Sequence, residues 1–141
     1  MSKRRVVVTG MGIVSPVGSS VKEAWDNILA GRSGIAPIDK FDTSNFSVRF
    51  GGTVQGFELA EYLSAKDARK MDPFIHYGIG AAVQALRDSG LEVSEENAER
   101  IGVAIGSGIG GIGTIEKNCV AYQEGGRGRF RPSSYQAQLS I

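Results

Sequence analysis

Few residues of this chain have side chains suited to catalysis, and none stands in a complete catalytic pattern. The only cysteine is Cys119 and the only histidine is His76. Cys119 lies inside the helical pattern EKNCV, away from a helix N-terminus that would stabilise a thiolate, so a packed or incidental cysteine is expected. His76 lacks a second imidazole or a cysteine cluster with which to bind zinc, and Ser107 lacks the flanks of a G-x-S-x-G motif. The residues alone predict no catalytic set and no metal site.

Two glycine clusters follow predicted strands and could approach a phosphate group. The first, GMG at residues 10–12, supplies only half of a dinucleotide-binding fingerprint. The second, Gly106–Gly111, matches G-x-G-x-x-G, and Glu124 falls near the distance of the expected acid. That acid should end a second strand, yet the run EKNCVAYQ has a helical pattern. We expect a close-packed glycine turn made by Gly106, Gly108, Gly110 and Gly111, with nucleotide binding as the alternative.

Length and composition fit one domain without a nucleic-acid or membrane partner. The chain has 141 residues, 41% of them hydrophobic, and a net charge of +1. All 15 acidic residues precede Arg127, and we interpret Arg127, Arg129 and Arg131 as solvated. One cysteine excludes an internal disulfide framework, and no apolar run is long enough for a signal peptide or a membrane span. A soluble cytoplasmic protein is expected.

The elements that must position these residues alternate between strand and helix, which predicts an α/β class. Continuous apolar runs predict buried strands at Arg4–Thr9 and Arg100–Ile105. A capping box at Ser20–Glu23 opens one helix, which Gly31 ends. Asp72 and Pro73 open the strongest helix, which Gly90 closes; its segment Gly78–Ala82 offers a thin surface to another backbone.

The shorter elements are predicted from local composition. Lys66, Asp67, Arg69 and Lys70 are expected to form a solvated helical face. The remaining expectations are a loop at Ser33–Phe46, a short strand at Phe50–Val54, helical turns at Leu59–Tyr62 and Ala65–Met71, and a helix from about Ile112 through Val120.

Four segments, taken together and in order, carry a family resemblance. They are RRVVVTGMGIVSPVG near the start, LAGRSGI at Leu29–Ile35, RKMDPFIHYG at Arg69–Gly78 and IGVAIGSGIGG at Ile101–Gly111. The chain resembles the bacterial β-ketoacyl-acyl-carrier-protein synthases, most closely the synthase II type, from Ser2 to about Gly126. The resemblance implies an incomplete N-terminal half of a thiolase-like fold, in which two similar α/β halves form α-β-α-β-α layers, usually in a homodimer.

The resemblance also implies an acyltransferase of fatty-acid synthesis that performs a decarboxylative Claisen condensation. A cysteine accepts the acyl chain from acyl carrier protein, and two histidines assist decarboxylation of the malonyl group. Substrates are carried on phosphopantetheine, and no further cofactor is implied. The family's nucleophile, histidines and supporting lysine are expected beyond this chain, so Cys119 and His76 inherit no role and the chain alone is expected to be inactive. Ile109 matches the isoleucine that lines the acyl pocket.

The last segment departs from the family pattern after Gly126. The family typically continues PRKISPFFVPSTIINM, whereas this chain reads RGRFRPSSYQAQLSI. One set of permitted codons for the segment that starts at Gly126 yields the family continuation when it is read in a shifted frame. We therefore predict a family region at 1–126 and a disordered non-family tail at 127–141, produced by a frameshift.

Three functions are compatible with these patterns. The first is an N-terminal fragment of a condensing enzyme. The second is a small nucleotide-binding module that uses Gly106–Gly111. The third is a non-catalytic binding partner of an intact synthase.

Overall fold

The computed structural model describes residues 3–125, which form helices and one small sheet. The α-helices are α1 (Val21–Leu29), α2 (Ala65–Ala68), α3 (Pro73–Ser89) and α4 (Ile112–Gly125), the strands are β1 (Ile35–Pro37) and β2 (Phe50–Gly52), and 3₁₀ turns lie at Leu59–Glu61 and Ala98–Arg100. The chain divides into two compact units, one made of residues 3–58 with Gly80–Leu91 and one made of Leu59–Ile79 with residues 92–125. None of the described helices is long and apolar enough to cross a membrane.

Helix α1 begins and ends as its sequence predicts. The Ser20 hydroxyl accepts the Glu23 N–H at 3.3 Å, and the Glu23 carboxylate accepts the Ser19 N–H at 2.8 Å. At the other end Gly31 has a φ of +66°, and its N–H donates to the Ile28 carbonyl at 3.0 Å. These local hydrogen bonds satisfy main-chain groups that a helix terminus leaves open.

Small residues on α3 let the segment that precedes α1 lie close to this helix within the first unit. A Cβ built at Gly12 would collide with the Ala81 carbonyl oxygen, and one built at Gly10 would lie 2.7 Å from Ser89 Cβ. The α3 side chains then bind the approaching backbone: Asp88 accepts the Met11 N–H at 2.8 Å, and Gln84 accepts the Ile13 N–H at 3.2 Å. The small residues of α3 therefore serve the close approach that their pattern predicts.

The sheet is smaller than the sequence predicts. Strands β1 and β2 pair antiparallel in the register Ile35↔Gly52 and Pro37↔Phe50, so a strand lies inside the expected loop Ser33–Phe46, and β2 is shorter than expected. The helices at Pro73 and Ile112 begin where the sequence places them, and the predicted turns near Leu59 and Ala65 are also present.

The predicted strands Arg4–Thr9 and Arg100–Ile105 are wrong for the described residues, which contain no strand there. Val6, Val8 and Val103 are 87%, 81% and 72% exposed. A strand is defined by ladder hydrogen bonds to a neighbour, and residues 3–125 offer these two runs no pairing strand. Their β-branched composition indicates that they would form strands beside a pairing strand, because β propensity largely reflects packing against neighbours.

The buried apolar core of the described residues is correspondingly small. Ala24 on α1 is 2% exposed and Ile75 on α3 is 4% exposed, and they are the only buried hydrophobic side chains described. Each belongs to a different unit. Large apolar residues such as Trp25 and Phe50 remain more than half exposed.

Candidate functional site

The segment Gly106–Gly111 leads into α4 within the second unit. Gly110 has a φ of +78°, a conformation that favours glycine, and its N–H donates to the Ser107 hydroxyl at 3.1 Å. The Gly111 carbonyl then accepts the N–H groups of Thr114 and Ile115 at 3.1 and 3.0 Å. The glycines thus form a turn that passes directly into the first turn of the helix.

Within this turn, the four glycines predicted to be close-packed differ in their surroundings. Gly111 is buried, and a Cβ built at Gly110 would lie 3.7 Å from the Phe74 ring. At Gly106 and Gly108 the described residues place no heavy atom within 4 Å of such a Cβ, beyond the adjoining residues. Close packing is therefore absent at Gly106 and Gly108 in the described part of the chain, although the Ile105 side chain that precedes them lies 3.5 Å from the Cβ position of Gly78 on α3.

Ile109 lies at the exposed part of the turn. Its side chain is 71% exposed, and Gly108 and Gly110 flank it. An exposed apolar side chain can contact an apolar ligand, because burial of apolar surface is favourable. The glycines on either side of Ile109 have no side chains that would block such a ligand. The turn therefore presents an apolar contact point.

A hydrogen bond ties the start of α4 to the residue that precedes α3. The Thr114 hydroxyl donates to the Asp72 carboxylate at 2.6 Å in a partly buried position. The Asp72 carbonyl also accepts the Ile75 N–H at 3.0 Å in the first turn of α3. Sequence reasoning missed the pairing of Asp72 with Thr114, since the two residues are 42 positions apart and neither stands in a catalytic motif.

Neither Cys119 nor His76 occupies a position typical of a catalytic residue. Cys119 is exposed in the middle of α4, two turns from the helix N-terminus, so among the described residues it is an incidental rather than a packed cysteine. The His76 Nε2 lies 3.0 Å from the Ala68 carbonyl oxygen, so the ring contacts the main chain of α2. Residues 3–125 contain no cluster of three His, Cys, Asp or Glu side chains able to bind a metal ion.

The charged run on and after α2 is solvated, as its composition predicts. Lys70 and Asp67 form an ion pair at 3.2 Å with side chains 59% and 47% exposed. The hydrogen bond from the Ser64 hydroxyl, followed by the contact with Lys70, holds the pKa of the Asp67 carboxyl below its ordinary value. Exposed pairs of this kind contribute little to stability.

An apolar groove in the first unit was not foreseen from the sequence. Its volume is about 1030 Å³, and its walls come from α1, from α3 and from the segment that lies on α3. The lining residues include Met11, Val21, Trp25, Ile28 and Ala85. The helical spacing of Val21, Trp25 and Ile28 is visible in the sequence, but the residues that complete the groove are distant in the chain.

Comparisons with known proteins give the same family along nearly the whole chain. The family model described as "Beta-ketoacyl synthase, N-terminal domain" matches residues 3–139. The chain is 63% identical over 132 residues to 3-oxoacyl-[acyl-carrier-protein] synthase 2 of Vibrio cholerae, covering 94% of this chain and 32% of that protein. The protein of the same name from Coxiella burnetii is 48% identical over 132 residues, with the same coverage. The chain thus spans about a third of the length of the curated relatives it matches.

Solved structures of ketosynthases share the fold. The ishigamide ketosynthase/chain length factor superposes with a TM-score of 0.76 at 28% identity, covering 96% of this chain and 34% of that one. The complex named AntDE:AntF, a ketosynthase bound to its acyl carrier protein and a hexaketide, gives a TM-score of 0.73 at 29% identity, covering 98% of this chain and 38% of that one. With its α/β fold forming an incomplete N-terminal half of the thiolase-like architecture, the chain belongs to the β-ketoacyl synthase family.

Proposed function

We propose that this chain is the N-terminal part of a 3-oxoacyl-acyl-carrier-protein synthase, an acyltransferase of fatty-acid elongation. The observation that carries the proposal is the 63% identity to the Vibrio cholerae synthase across 94% of the chain. The proposed reaction is a Claisen condensation, in which a malonyl group loses carbon dioxide and the resulting carbanion attacks an acyl thioester.

Within that reaction the chain contributes to binding rather than to bond breaking. Ile109 is the proposed acyl-pocket residue, supported by its exposed apolar side chain between two glycines. The nucleophilic cysteine, the two histidines and the lysine are assigned to the part of the relatives that this chain does not span. The mid-helix position of Cys119 and the main-chain contact of His76 favour that division.

Partners and location follow from the same proposal. An intact enzyme would receive both substrates on the phosphopantetheine of acyl carrier protein and would act as a homodimer, with no further cofactor. A ketosynthase of the shared fold has been solved with its acyl carrier protein, which supports that choice of partner. We place the enzyme in the cytoplasm, because a single cysteine fits a reducing compartment.

The proposal is tested by grafting. Residues 3–125 of this chain would replace the aligned residues of the intact Vibrio cholerae synthase, and condensation of acyl- and malonyl-carrier protein would be measured. We expect the chimera to retain condensing activity, whereas the 141-residue chain alone should form no product. A chimera that folds as a dimer yet does not condense would contradict the proposal, and so would turnover by the isolated chain.

The frameshift after Gly126 stays a prediction, because residues 126–141 lie outside those that the structure describes. Sequencing of the gene distinguishes the possibilities directly. We expect a second reading frame that encodes PFFVPS and then an A-C-[ST]-S-G motif. The prediction is wrong if no downstream frame encodes them.

A further inference from the structure

The glycine turn that carries Ile109 is hydrogen-bonded to another element of the second unit at its α4 end. At its α4 end, Gly110 lies beside the Phe74 ring and Thr114 donates a 2.6 Å hydrogen bond to Asp72. Toward its other end, the Cβ positions of Gly106 and Gly108 have open space around them. The orientation of the turn is therefore set where it enters α4.

The Thr114–Asp72 bond has the properties of a strong restraint. Its 2.6 Å length is that of an O–H···O⁻ bond, which is shorter and stronger than a bond between neutral groups. Asp72 stands immediately before Pro73, the first residue of α3, and its carbonyl accepts the Ile75 N–H. The carboxylate thus stands at the start of α3, and the bond links that helix start to the first turn of α4.

Phe74, from the same helix start, lies beside the bend. Its ring carbons are 3.7 and 3.8 Å from the position that a Cβ would occupy at Gly110, so the ring borders the space beside this glycine. Gly110 is also the residue of the turn with a left-handed backbone, φ +78°. The hydrogen bond in the first turn of α4 and the neighbouring Phe74 ring at the bend together limit the rotation of the segment that presents Ile109.

We propose that Asp72, Thr114 and Phe74 are positioning residues that fix the depth at which Ile109 meets the acyl chain, and so help to set chain-length selectivity. This inference rests on the proposed function and on the pocket role of Ile109. On that pocket role, a displaced Ile109 acts on acyl chains that are long enough to contact it and not on shorter ones. Loosening the turn therefore alters the reaction of long chains and spares that of short ones.

The test uses the chimera with Thr114→Val, which keeps the side-chain shape but cannot donate to Asp72. Thr114→Ser restores the hydroxyl, and Thr43→Val makes the same chemical change in the loop between β1 and β2. We measure kcat and KM with hexanoyl- and tetradecanoyl-carrier protein. For Thr114→Val we expect the ratio of kcat/KM between the two substrates to change by about tenfold, since small misplacements at a reacting site have effects of up to about a hundredfold. Thr114→Ser and Thr43→Val should keep the parent ratio.

Two results separate this inference from the proposed function. If the parent chimera does not condense, the proposed function fails. If the parent condenses and Thr114→Val keeps its substrate ratio, the positioning role is overturned. A uniform loss with both substrates and an unchanged ratio also overturns it, because a merely structural defect would act on both.

A second measurement uses the 141-residue chain and does not depend on catalysis. Amide hydrogen exchange reports whether the turn is restrained, since opening of a segment sets the exchange rate. In Thr114→Val and in Phe74→Leu we expect the amides of Gly110 and Ile115 to exchange about tenfold faster, whereas Thr114→Ser should match the parent. Unchanged exchange in both variants would overturn the proposed restraint.

Discussion

Replacement of Gly12 by alanine tests the close contact between the N-terminal segment and α3. The new Cβ would collide with the Ala81 carbonyl oxygen and lie 2.8 Å from the Gln84 Cβ. Both obstacles belong to the helix, where backbone and Cβ atoms cannot move aside as the end of a flexible side chain can. The segment must therefore shift away from α3, and the shift lengthens the hydrogen bond from the Ile13 N–H to Gln84.

The expected loss of stability combines three effects. Insertion of a methyl group into a packed contact costs about 1–3 kcal/mol. Loss of the Ile13 hydrogen bond adds about 0.5–1.5 kcal/mol. Alanine lowers the conformational entropy of the unfolded chain, which offsets the loss of stability by about 0.4–1 kcal/mol. The net prediction is a free energy of unfolding lowered by about 2 kcal/mol.

Urea unfolding measures this change, because Trp25 is the only tryptophan and lines the groove beside Gly12. Gly51→Ala is a suitable control in the same unit, since its Cβ would meet only the Ile38 side chain at 3.6 Å. We expect the control to unfold at the parent urea concentration or above it. The steric reasoning is refuted if Gly12→Ala unfolds at or above the parent midpoint.

Three further substitutions test other contacts. Ser20→Ala should lower the free energy of unfolding by about 1 kcal/mol, because it removes the acceptor of the Glu23 N–H; circular dichroism during urea unfolding measures this. The hydrogen bond from Ser64 lowers the pKa of Asp67 below its ordinary value of 3.8. The stability that ionised Asp67 contributes is therefore present above pH 3.8 and is lost as the pH falls through the folded-state pKa. The amide chemical shifts of α2 should show this acid transition in the parent chain and lose it in Asp67→Asn. Asn118→Leu should leave the thermal midpoint unchanged or raise it, since the buried Asn118 Nδ2 has no hydrogen-bond partner among the described residues.

The helices were predictable because their signals are local. Ser20 and Glu23 mark the start of α1, and Pro73 marks the start of α3, each within one turn of the helix it opens. The strand predictions failed at Arg4–Thr9 because a strand needs a partner elsewhere in the chain, which its own residues cannot indicate.

The same distinction applies to the candidate site. The glycine pattern and Ile109 were evident from the sequence, and the family resemblance gave Ile109 its expected role. The restraints on the turn were not evident, because Asp72 and Phe74 reach it from a helix about 40 residues away in the sequence. Individual motifs predict local shape, whereas contacts between distant residues determine how firmly that shape is held.

The discontinuous first unit has a consequence for synthesis on the ribosome. Met11 binds Asp88 across 77 residues, and Ser19 binds Gln84 across 65. At roughly 5–20 residues per second, the N-terminal segment waits roughly 4–15 s before its helical partner has been translated. The valines at positions 6–8 are exposed during that interval and stay exposed in the described structure, so a holdase that binds apolar segments could act on them at either stage.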